Sequence, residues 1–417
     1  MYHATPLIST IVAGLTLAFV FGLAAHRLKF PPIAGYLLAG VVIGPFTPGY
    51  VADLKLAAEL AELGVILLMF GVGLHFSPRH LMQVRAIALP GAVAQIGVAT
   101  VCGMVLAWAL GWGIGAGAVF GLSLSVASTV VLLRALQERR LVESDRGRIA
   151  VGWLIVEDMA MVLTLVLIPP LAGVLGGEAA PPDPEAAEIA VRTGLDPLLG
   201  AILLTAAKVA AFVALMLVVG RRVIPLLLHY TVHTGSRELF RLAVLVIALG
   251  VAFGSSYFFG VSFALGAFFA GMVMAESTLA SQAMRDTLPL RDAFAVLFFV
   301  SVGMLFDPHV LVEAPFALLA TVFVILIVKS AAAYGIVRVF GHGHAVAVTI
   351  AASLAQIGEF SFILIVLGVD LEIVPPEARD LVVAGAILSI LANPFLFRLA
   401  ERHNREASAE ELARTVA

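Results

Sequence analysis

The chain has 417 residues, 61% of them hydrophobic and 13% charged, with a net charge of −3. A typical soluble domain carries roughly 25% charged residues, so this composition belongs in a bilayer. No basic face is available for nucleic acid, and the single cysteine, Cys102, excludes an intrachain disulfide framework or a CxxC zinc site.

The start, Met1 to Pro6, has no basic n-region, so the first apolar segment reads as a retained span rather than a cleaved signal. In chain order, apolar windows of ~20 residues predict spans at 7–25, 32–48, 60–76, 87–108, 114–136, 148–171, 197–219, 238–254, 258–276, 291–306, 314–338, 345–368 and 380–399. The expected fold class is an all-α polytopic membrane protein of 13 transmembrane helices over residues 1–400, with a short charged cytoplasmic tail at 401–417. With the N-terminus outside, twenty of the 25 Lys and Arg residues fall in inner loops or the tail. Only Lys55, Arg192 and Arg379 lie outside, and Lys208 and Lys329 sit within spans. This alternation follows the positive-inside rule and places the C-terminus in the cytoplasm.

Two halves echo each other. Phe70-Gly-Val-Gly-Leu-His-Phe-Ser-Pro78 in the third span matches Val300-Ser-Val-Gly-Met-Leu-Phe-Asp-Pro308 in the tenth at a shift of 230. Gly35 and Ala39-Gly40 match Gly266 and Ala270-Gly271 at a shift of 231. An odd number of helices separates each pair, so the copies cross in opposite directions, as in an inverted repeat of spans 1–6 and 8–13. Such folds bring ions to the midplane between broken helices. The candidates are span 5, with Ser123-Leu-Ser-Val-Ala-Ser-Thr129, and span 12, with Ser353-Leu-Ala-Gln-Ile-Gly-Glu-Phe-Ser361. The repeat superposes Ser128-Thr129 on Gly358-Glu359, which predicts crossed broken helices 5 and 12.

Span 6 carries adjacent acids, Glu157 and Asp158, within an apolar run. A charge at mid-bilayer costs roughly 2.5 to 3.5 kcal/mol on insertion scales, so such a pair needs a proton, a cation or a counter-charge, and marks a functional site. Adjacent residues point about 100° apart on a helix, so the two need not share an ion. Lys329 is too central in its span to snorkel easily and is the expected counter-charge. Gln95 and Glu276 read as hydrogen-bonding supports, Lys208 as structural or lipid-facing, and His75, His342 and His344 either as groups that tune pH response near the inner face or as surface histidines with no special role.

Together, Gly71-Val-Gly-Leu74, Ala127-Ser-Thr-Val-Val131, Glu157-Asp158, Phe269-Ala-Gly-Met-Val-Met-Ala-Glu-Ser277, Leu297-Phe-Phe-Val-Ser-Val-Gly-Met304 and Gln356-Ile-Gly-Glu-Phe-Ser361 resemble the cation:proton antiporter-2 (CPA2) family, especially Kef-type potassium/proton antiporters. The resemblance implies the sodium/proton antiporter fold, a homodimer in the bacterial inner membrane, and a core that moves like an elevator against a scaffold. It implies that Asp158 binds cation and proton, assisted by Ser125, Ser128 and Thr129 of the broken span, and that Lys329 faces the aspartate. Asp158, Ser128 and Thr129 would then be the ligands of the monovalent metal ion. Gln356, Gly358 and Glu359 would support the second break.

Two departures stand out. Kef-type chains usually have Gln where this one has Glu157, which leaves the stoichiometry open. They also continue into a cytoplasmic nucleotide-binding domain, whereas residues 401–417 show no GxGxxG and no strand–helix alternation, so the expectation is that the regulatory domain is absent from this chain, either removed or lacking in the protein. The function expected is exchange of K+, or Na+, for H+, with no cofactor beyond the transported ion. A cation channel or a solute:cation symporter on the same frame is the alternative. An enzyme is disfavoured, because there is no HExxH and Gly121-Leu-Ser123 has no histidine at matching depth.

Overall fold

The computed structural model describes residues 6–75, 78–141, 144–177 and 197–416, and all regular elements among them are helical. The helices are α1 (Pro6–Arg27), α2 (Pro32–Ile43), α3 (Leu54–His75), α4 (Pro78–Ala109), α5 (Ile114–Ser125), α6 (Thr129–Glu138) and α7 (Asp145–Leu171). They continue as α8 (Pro197–Leu215), α9 (Arg221–His233), α10 (Arg237–Phe259), α11 (Phe263–Ala275), α12 (Ala280–Met304) and α13 (Val310–Glu313). The last are α14 (Pro315–Phe323), α15 (Lys329–Val339), α16 (His344–Leu354), α17 (Glu359–Asp370) and α18 (Pro376–Val416). Short π-helical stretches, Met216–Gly220 and Val324–Val328, join α8 to α9 and α14 to α15.

Helix starts follow local chemistry. Ser144, Ser236 and Ser262 each accept from a backbone N–H three residues on, capping α7, α10 and α11. Pro32 opens α2 at a position where the missing N–H costs nothing. The left-handed Gly260, φ 62°, ends α10.

Among the described residues, nine helices are long and apolar enough to cross a membrane, or ten if α16 and α17, bent by 43° at their break, form one span. Three shorter apolar helices, α2, α5 and α11, accompany them. This makes the chain a multi-pass membrane protein. Several predicted boundaries shift: α4 and α12 begin at Pro78 and Ala280 rather than at 87 and 291, and α18 continues past 399 to Val416. The seventh span does not end at 219, because helix runs on through the π stretch to His233, and Arg221 and Arg222 lie on α9 rather than in a loop. The π stretch adds one residue to a turn without breaking it, so composition gives no stop signal there.

Packing divides the helices into two bundles. In one, α3 lies between α11 and α12, and α2 packs on α1 and α12. In the other, α4 packs on α5, α7 and α15, while α16 and α17 pack on α18 and α17 also touches α5. The first bundle closes through glycines. A methyl at Gly40 would overlap Val300 O, and one at Gly303 would overlap Leu37 O. Gly73 and Gly271 stand in the same relation to Phe268 O and Phe70 O. Without Cβ atoms the backbones come within contact of one another, which is how apolar helices associate when lipid is as greasy as their neighbours.

Candidate functional site

The second bundle holds two helix breaks. At the first, Val126 and Ser128 are extended, at φ −100°, ψ 135° and φ −78°, ψ 124°. Small polar residues there allow the backbone to leave the helix, but each freed peptide group must find a partner in the bilayer. Ser125 O accepts from Gln95 Nε2 at 2.8 Å, and Ala127 N donates to Glu157 Oε2 at 2.9 Å. Ser128 N donates to Gln356 Oε1 at 2.8 Å, and Gln356 Nε2 donates back to Ser128 O at 3.1 Å. The Ser128 hydroxyl accepts from Val131 N and so caps α6.

The second break spans residues 355–358. Gln356 O receives Lys329 Nζ at 2.9 Å, so one glutamine ties together both breaks and the buried lysine. Gly358 is extended, and a methyl on it would overlap Ser128 Cα, so the two interruptions touch. The N-termini of α6 and α17 therefore both begin at this point, and their partial positive charge faces whatever anion lies between them.

Three carboxylates are gathered here. Asp158 is 4% exposed, with Oδ2 accepting from Thr129 Oγ1 at 3.1 Å and Oδ1 buried without a hydrogen-bond partner among the described residues. Glu157 is fully buried, with Oε2 held by Ala127 N. Glu359, 2% exposed, accepts from Ser128 Oγ at 3.3 Å through Oε2. Thr129 and Glu359 are the first residues of α6 and α17, so the positions matched by the sequence repeat both deliver side chains to the same centre.

Several expected placements differ in detail. Lys329 is fully buried, and its Nζ donates to Gln356 O at 2.9 Å. The π-helical turn before it adds a residue to the register, a shift that spacing on an ideal helix misses. The Ser125 hydroxyl donates to Leu122 O at 2.7 Å within its own helix, and the Ser128 hydroxyl turns to Glu359. Of the three hydroxyls, Thr129 is the one that donates to Asp158. Glu276 forms a surface pair with Arg221 at 2.6 Å, and the side chain of His75 lies outside the described residues. His344 Nδ1 lies 2.9 Å from Tyr334 Oη.

Sequence reading overlooked Trp153. Its Nε1 donates to Gln95 Oε1 at 3.1 Å, so a fully buried chain from Trp153 through Gln95 fixes the last carbonyl of α5. Trp153 stands one turn before Glu157, and an indole among aliphatic residues gives no sequence signal of such a contact. No group of three or more His, Cys, Asp or Glu residues among those described could hold a resident metal. A hard cation would be met by carboxylate, hydroxyl and carbonyl oxygens.

The transmembrane sodium/hydrogen exchanger profile matches residues 14–399. The chain belongs to this family. YbaL of Escherichia coli (strain K12), named for cation/proton antiport, is 61% identical over 403 residues, covering 97% of this chain and 70% of that protein. K(+) efflux antiporter 4 of Arabidopsis thaliana is 34% identical across 94% of this exchanger and 64% of its own length. The solved sodium proton antiporter MjNhaP1 of Methanocaldococcus jannaschii shares the fold, with a TM-score of 0.69 at 16% identity over 94% of this exchanger and 97% of that chain. The Kef-type CPA2 resemblance carried by the motifs is thus borne out, and the relatives are transporters rather than enzymes.

Proposed function

We propose that this exchanger is a secondary active antiporter that trades a monovalent cation, K+ in preference to Na+, for H+ at Asp158. The observation that carries the reading is the state of that carboxylate. It is buried where two helix breaks meet, held on one oxygen by Thr129 and left on the other without a hydrogen-bond partner among the described residues. A proton and an alkali cation compete for that free oxygen, because either one neutralises a charge that hydrocarbon penalises. Glu157 is held differently, its Oε2 accepting from Ala127 N of the broken helix at 2.9 Å. Ser128 and Thr129, with carbonyls of the broken helices, complete an oxygen shell of the kind hard cations prefer. The K(+) efflux names of the plant relatives favour K+.

The same reading takes the protein as thirteen spans with the N-terminus outside and the C-terminus cytoplasmic, a homodimer in the bacterial inner membrane. It takes the broken-helix bundle as the part that moves, elevator-like, against the glycine-packed one. The inverted repeat finds support in the contacts. Shifts of 231 and 230 carry Gly40 to Gly271 and Gly73 to Gly303, so the Gly40–Gly303 contact maps onto the Gly271–Gly73 contact, as a pseudo-two-fold axis requires.

The test uses protein reconstituted in proteoliposomes with a trapped pH dye and challenged in turn with K+, Na+, Rb+ and Li+. Wild type should dequench the dye, most strongly with K+, and Asp158→Asn should not respond. A folded, inserted wild type silent to every cation, or an Asp158→Asn protein that still exchanges, would overturn the proposal.

A further inference from the structure

We infer that Gln95, oriented by Trp153, is a specificity-determining positioning residue: it pins the carbonyl end of α5 and so sets which alkali cation the transport centre prefers. The inference deepens the antiport reading and rests on it. It begins with the hydrogen bonds that the first break gives up. In an unbroken helix Ala127 N and Ser128 N would return to Ser123 O and Leu124 O. Here they donate to Glu157 and Gln356 instead, at 2.9 and 2.8 Å. The end of α5 thus presents carbonyls that have lost these donors, with the partial negative charge of a helix C-terminus behind them. The chain runs on from Ser125 to Thr129, which donates to Asp158 at 3.1 Å, so this carbonyl end borders the centre.

Ser125 O, the last carbonyl of α5, is held from the side. Gln95 Nε2 donates to it at 2.8 Å, and Gln95 Oε1 accepts from Trp153 Nε1 at 3.1 Å. An indole nitrogen donates and a carbonyl accepts, so both neighbours demand the same orientation of the amide. Turning it over would set oxygen against oxygen and N–H against N–H. Both residues are 0% exposed, so solvent would relieve neither mismatch. The ring is confined as well: a methyl on Gly91, one turn before Gln95 on α4, would overlap its six-membered edge. Gln356 belongs to the second break, whereas Gln95 and Trp153 come from the continuous helices α4 and α7. The carbonyl end of α5 is therefore fixed against helices that are not themselves interrupted.

Selectivity among alkali cations depends on where carbonyl dipoles stand and how far they close around the ion, whether fit or field strength decides. A carbonyl end pinned from outside cannot contract around a smaller ion. The pin favours K+ over Na+, and releasing it lets the oxygens close on the smaller cation. A hydrogen bond that served folding alone would change how much protein is active and leave the relative preference untouched.

The test measures that preference. Proteoliposomes of wild type, Gln95→Leu and Trp153→Phe are titrated with K+ and with Na+, and the half-maximal concentrations for dequenching are compared as a ratio. Trp153→Phe keeps an aromatic ring and removes the N–H. Each variant should shift the ratio about fivefold toward Na+, the worth of one buried hydrogen bond. Where wild type answers one cation alone, a response to a smaller one gained by the variants counts as that shift. Loss of folded protein scales both titrations alike and cancels. A ratio within about twofold of wild type in either variant, or a shift toward the larger ion, overturns the inference and leaves antiport standing. Wild type silent to every cation sinks antiport itself. Should either variant fail to fold, protein carrying Trp108→Phe and Trp112→Phe decides, because Trp153 is then its one indole. Exchanging Na+ for K+ should shift the hydrogen-bond-sensitive indole band in its ultraviolet resonance Raman spectrum, and an unmoved band overturns the inference.

Discussion

Helices α2, α3, α11 and α12 run unbroken and meet backbone to backbone through Gly40, Gly73, Gly271 and Gly303. Across the molecule, α5/α6 and α16/α17 are interrupted, and their loose ends are tied by Gln95, Gln356, Glu157 and Lys329. The first bundle keeps its helices unbroken and spends its sequence on close approach. The second gives up hydrogen bonds of its own and spends buried polar side chains to replace them. The contrast teaches where rigidity and chemistry are kept apart. Among the described residues the glycine contacts hold no buried ionisable group, and the buried acids lie where helices are opened.

The strongest way to sharpen this contrast lies within the centre itself, between neighbours with different partners. Asp158→Asn should abolish cation-driven proton movement while leaving thermal stability nearly unchanged, because Thr129 can still donate to the amide oxygen. Glu157→Gln should do the opposite. It strands Lys329 as a buried charge and should lower stability on the order of 3–5 kcal/mol, with transport reduced in proportion to folded protein. Thermal melting by intrinsic fluorescence, beside the dye assay, separates the two. A Glu157→Gln protein as stable as wild type would mean that Lys329 does not depend on that carboxylate.

Gln356 comes next. Its side chain serves both Ser128 N–H and Ser128 C=O, and the N–H has no helical partner to fall back on, whereas the carbonyl also accepts from Leu132 N. Gln356→Ala should cost about 1–3 kcal/mol for the orphaned amide and should raise the cation concentration needed for half-maximal dequenching. Gln356→Glu keeps the acceptor and should recover part of both. Unchanged affinity in Gln356→Ala would show that the break holds its shape without the clamp.

Much of this second bundle could be read from the chain. Hydroxyls, an amide and a glycine at matching repeat positions announced both breaks, and two acids in an apolar run announced the centre. What the sequence could not supply was partner choice. Lys329 donates to Gln356 O from a helix that follows a π-helical turn at Val324–Val328, and nothing in an unbroken aliphatic stretch signals that turn. The Ser128 hydroxyl faces Glu359, and Trp153 reaches Gln95, through contacts between residues 231 and 58 positions apart. Such contacts depend on how helices are rotated against one another, which hydropathy does not encode. The same applies to the helix through His233, whose basic residues resemble a loop in a charge count.

In the glycine-packed frame the corresponding attack is steric. Gly40→Ala places a methyl on Val300 O and should destabilise by about 1–3 kcal/mol. Gly335→Ala on α15, where an added methyl meets nothing, should be neutral or slightly stabilising through helix propensity. Melting temperatures of the pair test whether close approach is what holds the frame. If the two variants melt together, the α2–α12 seam tolerates separation and the rigidity argued for it fails.

The smallest effect is expected outside the spans, where α12 gives way to α13 and neither bundle's economy applies. Asp307 Oδ1 accepts from His309 N at 2.9 Å and lies 2.6 Å from His309 Nδ1, at the edge of a cavity of about 390 Å³ that Arg379 and Asp380 also line. The hydrogen bond and charge of Asp307 raise the imidazole above its usual range, and the His309 backbone N–H, ahead of its ring, holds the Asp307 carboxyl below the usual one. The sign differs for the two groups. The aspartate's contribution is present above its unfolded value and is lost as pH falls through its lowered one. The histidine's is present below its unfolded value and is lost as pH rises through its raised one. The pair's contribution is therefore complete between the two unfolded values, from about 4 to about 6.5, and fades as pH rises through neutrality or falls below that range. Nuclear magnetic resonance of ring-labelled His309 should show titration above ~6.5, and Asp307→Asn should return it toward that value. Both side chains are open to water, so His309→Gln should leave exchange within about twofold of wild type. A larger loss would place this exposed turn in the path of the ion rather than beside it.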